Sequence, residues 1–285
     1  MTTKLKSILH HLDKNILFYL TAFLFVFIPL YPKLPLADII PGYQVRVRLE
    51  DIFVLFTGFI WAIQWFRKKI KWNTFFFWAI VGYLLVGLAS ILSGIFLNHT
   101  IPGELLHIGK SGLHFFRYAE YFSLFVVAFA GITSQKQLNI IFKLLIVSLI
   151  AITIYGAGQK YMEWPLFSTM NREYAKGQAL TLGEGARVQS SFGGHYDMAA
   201  YMVITLPIIF AYILYTKAWK VKLFLTMVEL GGVWMLVLSG SKTALIAYGL
   251  THLVIVLNYL RLKKLNFTKL FKYLMGLLIT GTILE

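Results

Sequence analysis

The stretch RVQSSFGGHYD, at residues 187–197, places groups that could bind a charged ligand directly before a long apolar run. The planar guanidinium of Arg187 can hold two phosphate oxygens at once. Two consecutive glycines allow a sharp turn, or a close approach of the backbone to a ligand. Helix capping does not explain Ser191, so we group it with Arg187 as a candidate substrate-binding residue.

The same stretch carries a histidine and an aspartate. Asp197 is expected to cap the helix that begins near Tyr196. His195 is a candidate catalytic residue, but its nearness to Ser191 and Asp197 does not make a triad, because closeness in sequence does not supply triad geometry. As a metal ligand, His195 lacks a second His or Cys at ligand spacing. The sequence therefore predicts no metal site and no cofactor.

A second polar stretch, SGSKTALIAY at residues 239–248, joins two apolar runs. Lys242 would begin the second helix, where its ammonium and the free backbone N–H groups both favour an anion. The stretch is not a Walker loop, because Ser241 stands where that motif needs glycine. Lys242 is therefore a candidate substrate-binding residue. The alternative is a lysine that extends its ammonium to the membrane surface beside capping serines.

Charged residues also stand near the start of two other helices. Arg46 and Arg48 alternate in YQVRVRLED, so an extended segment would point both the same way as an anion clamp. The alternative is a solvated or headgroup-binding pair. Asp51 suits the positive end of the helix that follows. Arg117 and Glu120 are expected to pair on one helical face, unless Arg117 faces the helix bundle and binds a substrate phosphate.

The composition indicates which class of protein must position these groups. Of the 285 residues, 58% are hydrophobic and 14% are charged, whereas a soluble domain is about a quarter charged. We therefore expect a membrane protein in a lipid bilayer. The net charge of +15 does not indicate nucleic-acid binding, since the basic residues lie in short loops between apolar runs. The absence of cysteine excludes disulfides and thiolate metal sites.

Apolar runs of about 20 residues predict an all-α polytopic membrane protein with about nine transmembrane helices, forming a single transmembrane domain over residues 1–285. The first run lacks a cleavage site, so it is expected to be a retained helix and not a signal peptide. The last run reaches the end of the sequence, and we expect the chain to be the N-terminal part of a longer protein. The runs lie at residues 16–31, 50–66, 74–97, 113–132, 138–158, 196–215, 221–239, 243–260 and 270–285.

The distribution of basic residues predicts the orientation. Most of the 27 Lys and Arg residues fall on one side of the predicted membrane, in loops that would be cytoplasmic if the N-terminus is cytoplasmic. The longest loop, residues 159–195, would then face outward and would end with the RVQSSFGGHYD stretch.

Two ionisable residues lie inside apolar runs. Glu229 in FLTMVELGG and His252 in LTHLVIV would sit at similar depths in consecutive helices. Ionisable residues inside a membrane usually face the bundle and find partners. We expect the two to pair in a structural role; the alternative is that each finds a backbone, Tyr or Ser partner elsewhere.

The sequence RVQSSFGGHYDMAAYMVITLPI, followed by LVLSGSKTALIAY, resembles the core of the O-antigen ligase and polymerase superfamily. The family carries a Ser/Thr–Phe–Gly turn, which Ser191, Phe192 and Gly193 match. His195 and Asp197 occupy the polar positions at the start of the family's next helix.

In the second family motif, this sequence has the family's small residues at several positions but a different residue at the charged position. Lys242 stands where arginine is usual, which keeps the charge but loses the bidentate fork. Ala186 and Thr243 each replace a glycine. The matching residues are Ser239, Ser241 and Ala244.

The resemblance implies a multi-spanning glycosyltransferase with a GT-C-like bundle, in a bacterial cytoplasmic (inner) membrane. Such an enzyme transfers or polymerises a polysaccharide repeat from an undecaprenyl-diphosphate carrier to an acceptor glycan or glycolipid outside that membrane. A general base is also expected. His195 is the only candidate within these motifs, and the family's large outward loop is the more expected place for it. Family members carry a large outward loop with further essential residues, and this chain ends before it.

Two alternatives stay open. Ligase and polymerase differ in their acceptor, and no residue in this sequence indicates which acceptor is bound. A transporter or flippase of lipid-linked oligosaccharide would also need basic outer residues, but it should show inverted repeats and broken helices, which the sequence does not show.

Overall fold

A computed structural model describes residues 3–37, 46–70, 74–171 and 173–263. In these residues the chain forms eight α-helices, two short strands and one 3₁₀ helix, Tyr174–Lys176. The strands are β1 (Pro35–Ala37) and β2 (Val47–Arg48). The helices are α1 (Thr3–Leu30), α2 (Leu49–Phe66), α3 (Thr74–Phe96), α4 (Leu105–Gly131), α5 (Gln135–Tyr161), α6 (His195–Tyr215), α7 (Trp219–Leu238) and α8 (Lys242–Leu262).

Seven of the eight helices, all except α4, are long and apolar enough to cross a membrane. The prediction of an all-α membrane protein is therefore confirmed. Eight of the nine predicted runs form helices, and the ninth, 270–285, lies outside the described residues. Helix α4 is more polar because Arg117 and Glu120 interrupt its apolar sequence.

Several helices extend beyond the predicted runs. Helix α1 begins at Thr3 and not near residue 16, and α4 begins at Leu105 and not near residue 113. The predicted loop 159–195 is also shorter, because α5 continues to Tyr161 and α6 begins at His195. Hydropathy marks the part of a helix that suits lipid, whereas polar first turns continue the same backbone hydrogen bonding into water.

The chain divides into two compact units, with the first division inside α5. The first unit contains residues 1–152, 164–181 and 191–193, and the second contains 153–163, 182–190 and 194–285. The prediction of one transmembrane domain stays a prediction.

In the first unit, α4 packs against α1, α2 and α3, and α1 also packs against α2. Buried apolar side chains such as Leu24, Val54 and Val127 form its core. Strands β1 and β2 pair antiparallel, with Pro35 opposite Arg48.

In the second unit, α6 packs against α7 and α8. Methionine and leucine side chains with no exposed surface fill the interface, among them Met202, Leu206 and Met235. Gly232 lets α6 and α7 approach closely, because a Cβ atom there would collide with Leu206. This packing fixes the starts of α6 and α8, where the two sequence motifs lie.

Candidate functional site

Within the second unit, Arg187 joins residues of both sequence motifs. The Val188 N–H donates to the carbonyl of Leu238, at 3.1 Å, so the first motif runs beside the end of α7. The Arg187 side chain then lies across Gly240, where an added Cβ would be 2.9 Å from Nε. Gly240 has a φ of +63°, in the left-handed region that favours glycine. The turn between α7 and α8 therefore needs glycine both for its backbone and for Arg187.

The same guanidinium reaches the first turn of α6. Its Nη1 lies 3.1 Å from Nε2 of His195 and 3.4 Å from the hydroxyl of Tyr196. A guanidinium can only donate, so Nε2 of His195 accepts and the imidazole is neutral, with its proton on Nδ1. His195 is thus held in a form that could take up a proton at Nε2, but only after Arg187 moves away.

Helix α6 begins one residue earlier than predicted, and this changes the role of Asp197. Gly194 is the N-cap residue, with extended backbone, and His195 is the first helical residue. The prediction that Asp197 caps the helix was therefore wrong. The double glycine lets the chain turn into the helix before Tyr196, which leaves Asp197 in the first turn. Its carboxylate there interacts favourably with the helix dipole.

Lys242 is the first residue of α8, as predicted, and its side chain is exposed. Its contact with substrate stays a prediction. The turn before Lys242 is held by its own serines, since the Ser241 N–H donates to Oγ of Ser239 at 3.3 Å. Ser239 in turn donates to the carbonyl of Leu236 at 2.5 Å. Arg187 therefore lies against the starts of two helices, α6 and α8, and such helix starts bind anions.

Gln159 is a supporting residue that the sequence analysis missed. Its Oε1 accepts from the Ser190 N–H at 2.8 Å, and its Nε2 donates to the Ser190 carbonyl at 2.9 Å. Ser190 has a φ of +52°, a conformation that is unfavourable for a serine unless the surroundings hold it. A buried glutamine near the end of α5, in YGAGQKY, was the available signal, but its partner lies 31 positions away.

Ser191 and Gly193 belong to the first unit, where both make structural contacts. The buried Ser191 hydroxyl donates to the carbonyl of Pro29 at 2.5 Å. The Gly193 carbonyl accepts from the Thr169 N–H at 2.7 Å, and a Cβ at Gly193 would collide with the Thr169 side chain. The missing side chain of Gly193 thus makes room for Thr169. Substrate contact by Ser191 stays a prediction.

Arg46 and Arg48 also lie in the first unit, beside acidic side chains. Arg48 is in β2, where the backbone is extended, and the anion clamp of Arg46 and Arg48 stays a prediction. Its Nη1 lies 3.1 Å from Oε1 of Glu50, and Lys33 pairs with Oε2 of the same carboxylate. Burial raises the pKa of the neighbouring Tyr31 phenol, and the negative charge of Glu50 raises it further.

Arg117 joins α4 to α2 in the same unit. Its Nη1 lies 3.0 Å from Oε2 of Glu120, so the predicted pair is present. The same nitrogen lies 2.5 Å from Oδ1 of Asp51, a contact that the sequence did not predict. Oδ2 of Asp51 accepts from the Arg48 N–H at 2.9 Å. Asp51 therefore supports the start of α2 and neutralises Arg117 as well.

The predicted contact between Glu229 and His252 is present inside the second unit. Nε2 of His252 lies 3.0 Å from Oε1 of Glu229, and both side chains are buried. The Tyr248 hydroxyl donates to the same carboxylate oxygen at 3.1 Å. Nδ1 of His252 faces the Tyr248 carbonyl at 2.9 Å. The structural role of the pair stays a prediction.

Across the described ranges, no three His, Cys, Asp or Glu residues are grouped so that they could hold a metal ion. Comparison with protein-family models, curated proteins and solved structures found no match. The likeness to O-antigen ligases and polymerases therefore stays a hypothesis based on the two motifs.

Proposed function

We propose that this protein transfers or polymerises a polysaccharide repeat, taken from an undecaprenyl-diphosphate carrier, onto an acceptor glycan or glycolipid. The reaction would take place at the outer face of a bacterial cytoplasmic membrane, with the N-terminus of the chain in the cytoplasm. One observation carries the proposal: Arg187 lies against both Gly240 and His195, at the starts of two helices. His195 belongs to the first motif of the family resemblance, and Gly240 belongs to the second.

The diphosphate of the donor is the leaving group of this reaction. When the acceptor oxygen bonds to the anomeric carbon, the bond to the diphosphate oxygen breaks and negative charge grows on the diphosphate. Arg187, Lys242 and the N–H groups at the start of α8 could stabilise this charge without a metal.

The contact between Arg187 and His195 supplies an order of events. A diphosphate that binds the Arg187 guanidinium would draw it away from Nε2 of His195. The freed nitrogen could then accept the proton of the acceptor hydroxyl. Donor binding would thereby switch on the base, and the base would stay blocked while the donor site is empty.

A proton-coupled transporter or flippase of lipid-linked oligosaccharide is the second candidate. The buried cluster of Glu229, His252 and Tyr248 favours it, because proton-coupled transporters carry such intramembrane groups. Glu229→Gln distinguishes the transporter from the transferase, because it should abolish proton-coupled transport and leave glycan transfer unchanged.

The test of the transferase uses purified protein in vesicles, a lipid-linked glycan donor and its acceptor. Arg187→Ala should lower the rate of glycan transfer by about 100-fold or more. Arg187→Lys should restore part of it, because the charge returns without the fork. Arg261→Ala, at the exposed last turn of α8, is the matched control and should be neutral.

Two results would contradict this assignment. Wild-type transfer by Arg187→Ala would remove the residue from the site. Equal loss in the alanine and lysine variants would mean that Arg187 acts through packing on Gly240 and not through its charge.

A further inference from the structure

A long cavity lies between α2 and α4 in the first unit. It is a groove that is open on one side, with a volume of about 550 Å³, and it is mostly apolar, with Leu55, Phe59 and Phe116 among its walls. Those three side chains are exposed on the outside of the helices. Gly58, Ala119 and Ser123 also line a second cavity, of about 310 Å³, that continues toward Trp65.

The length of the larger cavity fits one hydrocarbon chain of one leaflet. Along α2 it runs from Asp51 to Phe59, and along α4 from Leu113 to Ser123. At 1.5 Å per helical residue these stretches measure about 12 and about 15 Å. Half of the hydrocarbon core of a bilayer is about 15 Å thick.

The charges of the cavity lining balance. They lie at the start of the α2 stretch, at Asp51, and in the middle of the α4 stretch, at Arg117 and Glu120. Two cations and two carboxylates line the cavity: Arg46, Arg117, Asp51 and Glu120. Arg117 touches both carboxylates, at 2.5 Å and 3.0 Å. A ligand that carries one excess negative charge would leave that charge uncompensated beside apolar walls, which is unfavourable in a low dielectric.

A ligand that carries both signs matches this charged part of the lining better. Its phosphate could accept from the guanidinium groups of Arg46 and Arg117. Its ammonium could donate to the carboxylates of Asp51 and Glu120. A primary ammonium has three donors for this purpose, whereas a trimethylammonium group has none.

We propose that this groove binds one zwitterionic phospholipid of the phosphatidylethanolamine type, with one acyl chain between α2 and α4. The lipid would act as a structural ligand of the first unit. This inference is independent of the proposed glycan transfer, which was argued from residues of the second unit.

The first experiment counts retained lipids by native mass spectrometry. The protein is released from an equal mixture of phosphatidylethanolamine, phosphatidylglycerol and phosphatidylcholine with identical chains. One phosphatidylethanolamine should stay bound per chain. Gly58→Phe should remove it, because Gly58 lines both cavities and a Cβ there meets nothing within 4 Å. Gly82→Phe on α3 is the control, since its Cβ also meets nothing and it lines neither cavity.

The second experiment tests the charge argument and does not depend on filling the groove. The comparison is made at pH 8, above the value of about 7 to which burial raises the pKa of Glu120. At that pH, Glu120→Gln keeps the shape of the side chain and gives the lining one excess positive charge. Phosphatidylethanolamine retention relative to phosphatidylglycerol should fall by about tenfold.

Several outcomes would overturn the inference. These are equal retention of the ethanolamine and glycerol lipids by the wild type, no retained lipid at all, or a Glu120→Gln variant with unchanged preference. Equal lipid loss in Gly82→Phe would show that the effect is not specific to the groove. Preferential retention of an added polyprenyl phosphate would assign the groove to a different ligand.

Discussion

The protons shared by Glu229 and His252 explain how two ionisable side chains can be buried among apolar helices. Nδ1 of His252 faces a carbonyl oxygen, so it must carry a proton. The contact between Nε2 and the Glu229 carboxyl then needs one more proton. Whether that proton belongs to the histidine or to the glutamate, the pair is neutral overall. A neutral, hydrogen-bonded pair avoids most of the penalty of burying a charge.

This arrangement predicts a coupled effect of substitutions. Glu229→Leu leaves Nε2 of His252 and the Tyr248 hydroxyl without their shared partner, and should lower the free energy of unfolding by about 3 kcal/mol. Glu229→Gln should be mild, because an amide can still hydrogen bond to both. Glu229→Leu combined with His252→Leu should recover about 1 kcal/mol. Thermal unfolding in detergent measures the wild type, these three variants and His252→Leu, and strictly additive losses in the two leucine substitutions would rule out the coupling.

Gln159 makes a separate prediction at the residue scale. Gln159→Ala removes both hydrogen bonds that hold the left-handed Ser190, and should lower the free energy of unfolding by about 2 kcal/mol. Because Ser190 lies three residues from Arg187, glycan transfer should fall as well. Gln135→Ala, at the exposed start of α5, loses one surface hydrogen bond and serves as the comparison. If the two variants unfold at the same temperature, Gln159 does not hold the loop.

At the scale of elements, the turn between α7 and α8 depends on one glycine. Gly240→Ala forces a non-glycine residue into the left-handed region, at about 1–2 kcal/mol, and its methyl group would press on Arg187. Both stability and transfer rate should fall. Gly249→Ala in α8 meets nothing within 4 Å and should be neutral or stabilising by about 1 kcal/mol. Equal behaviour of the two variants would contradict the packing of Arg187 on the turn.

The helices were largely predictable from the sequence, and their ends were not. The apolar runs located eight helices because each run must be shielded from water. They could not locate Thr3 or Leu105 as helix starts, since those turns lie outside the apolar stretch. The start of α6 was misplaced for a different reason. A polar residue was expected at the N-cap position, whereas the N-cap residue is Gly194.

The site was predictable in its residue types and not in its contacts. Arg187, His195 and Lys242 were singled out by charge and by position before apolar runs. The contact of Arg187 with Gly240 joins two segments that are 53 positions apart in the sequence, and the spacing of residues along the chain does not show which distant segments meet. Likewise, the helical spacing of Arg117 and Glu120 predicted one ion pair, but the second partner, Asp51, comes from another helix.

At the scale of the whole molecule, the orientation in the membrane is open to direct measurement. The chain has no cysteine, so a single introduced thiol reports one position. Gly183→Cys, in the loop between α5 and α6, should react with an impermeant thiol reagent in intact cells. Gly177 in the same loop is a poor choice, because its φ is +78° and an added Cβ would lie 2.7 Å from Pro35.

The matched control is Lys217→Cys, in the connection between α6 and α7. It should react only after the membrane is opened. The reverse pattern would place the N-terminus outside and would remove the proposed site from the outer face.

The short connection between α7 and α8 constrains how the protein is made. Only Ser239, Gly240 and Ser241 separate the two helices, so the ribosome delivers α8 to the insertion machinery almost as soon as α7 has left it. An ionised side chain carried alone into the bilayer centre costs about 3 kcal/mol on insertion scales. If Glu229 and His252 meet within the nascent hairpin, neither helix enters the bilayer with an unpaired ionised side chain. Biosynthesis would then treat α7 and α8 as one insertion unit, and a long spacer placed at Gly240 would separate their integration.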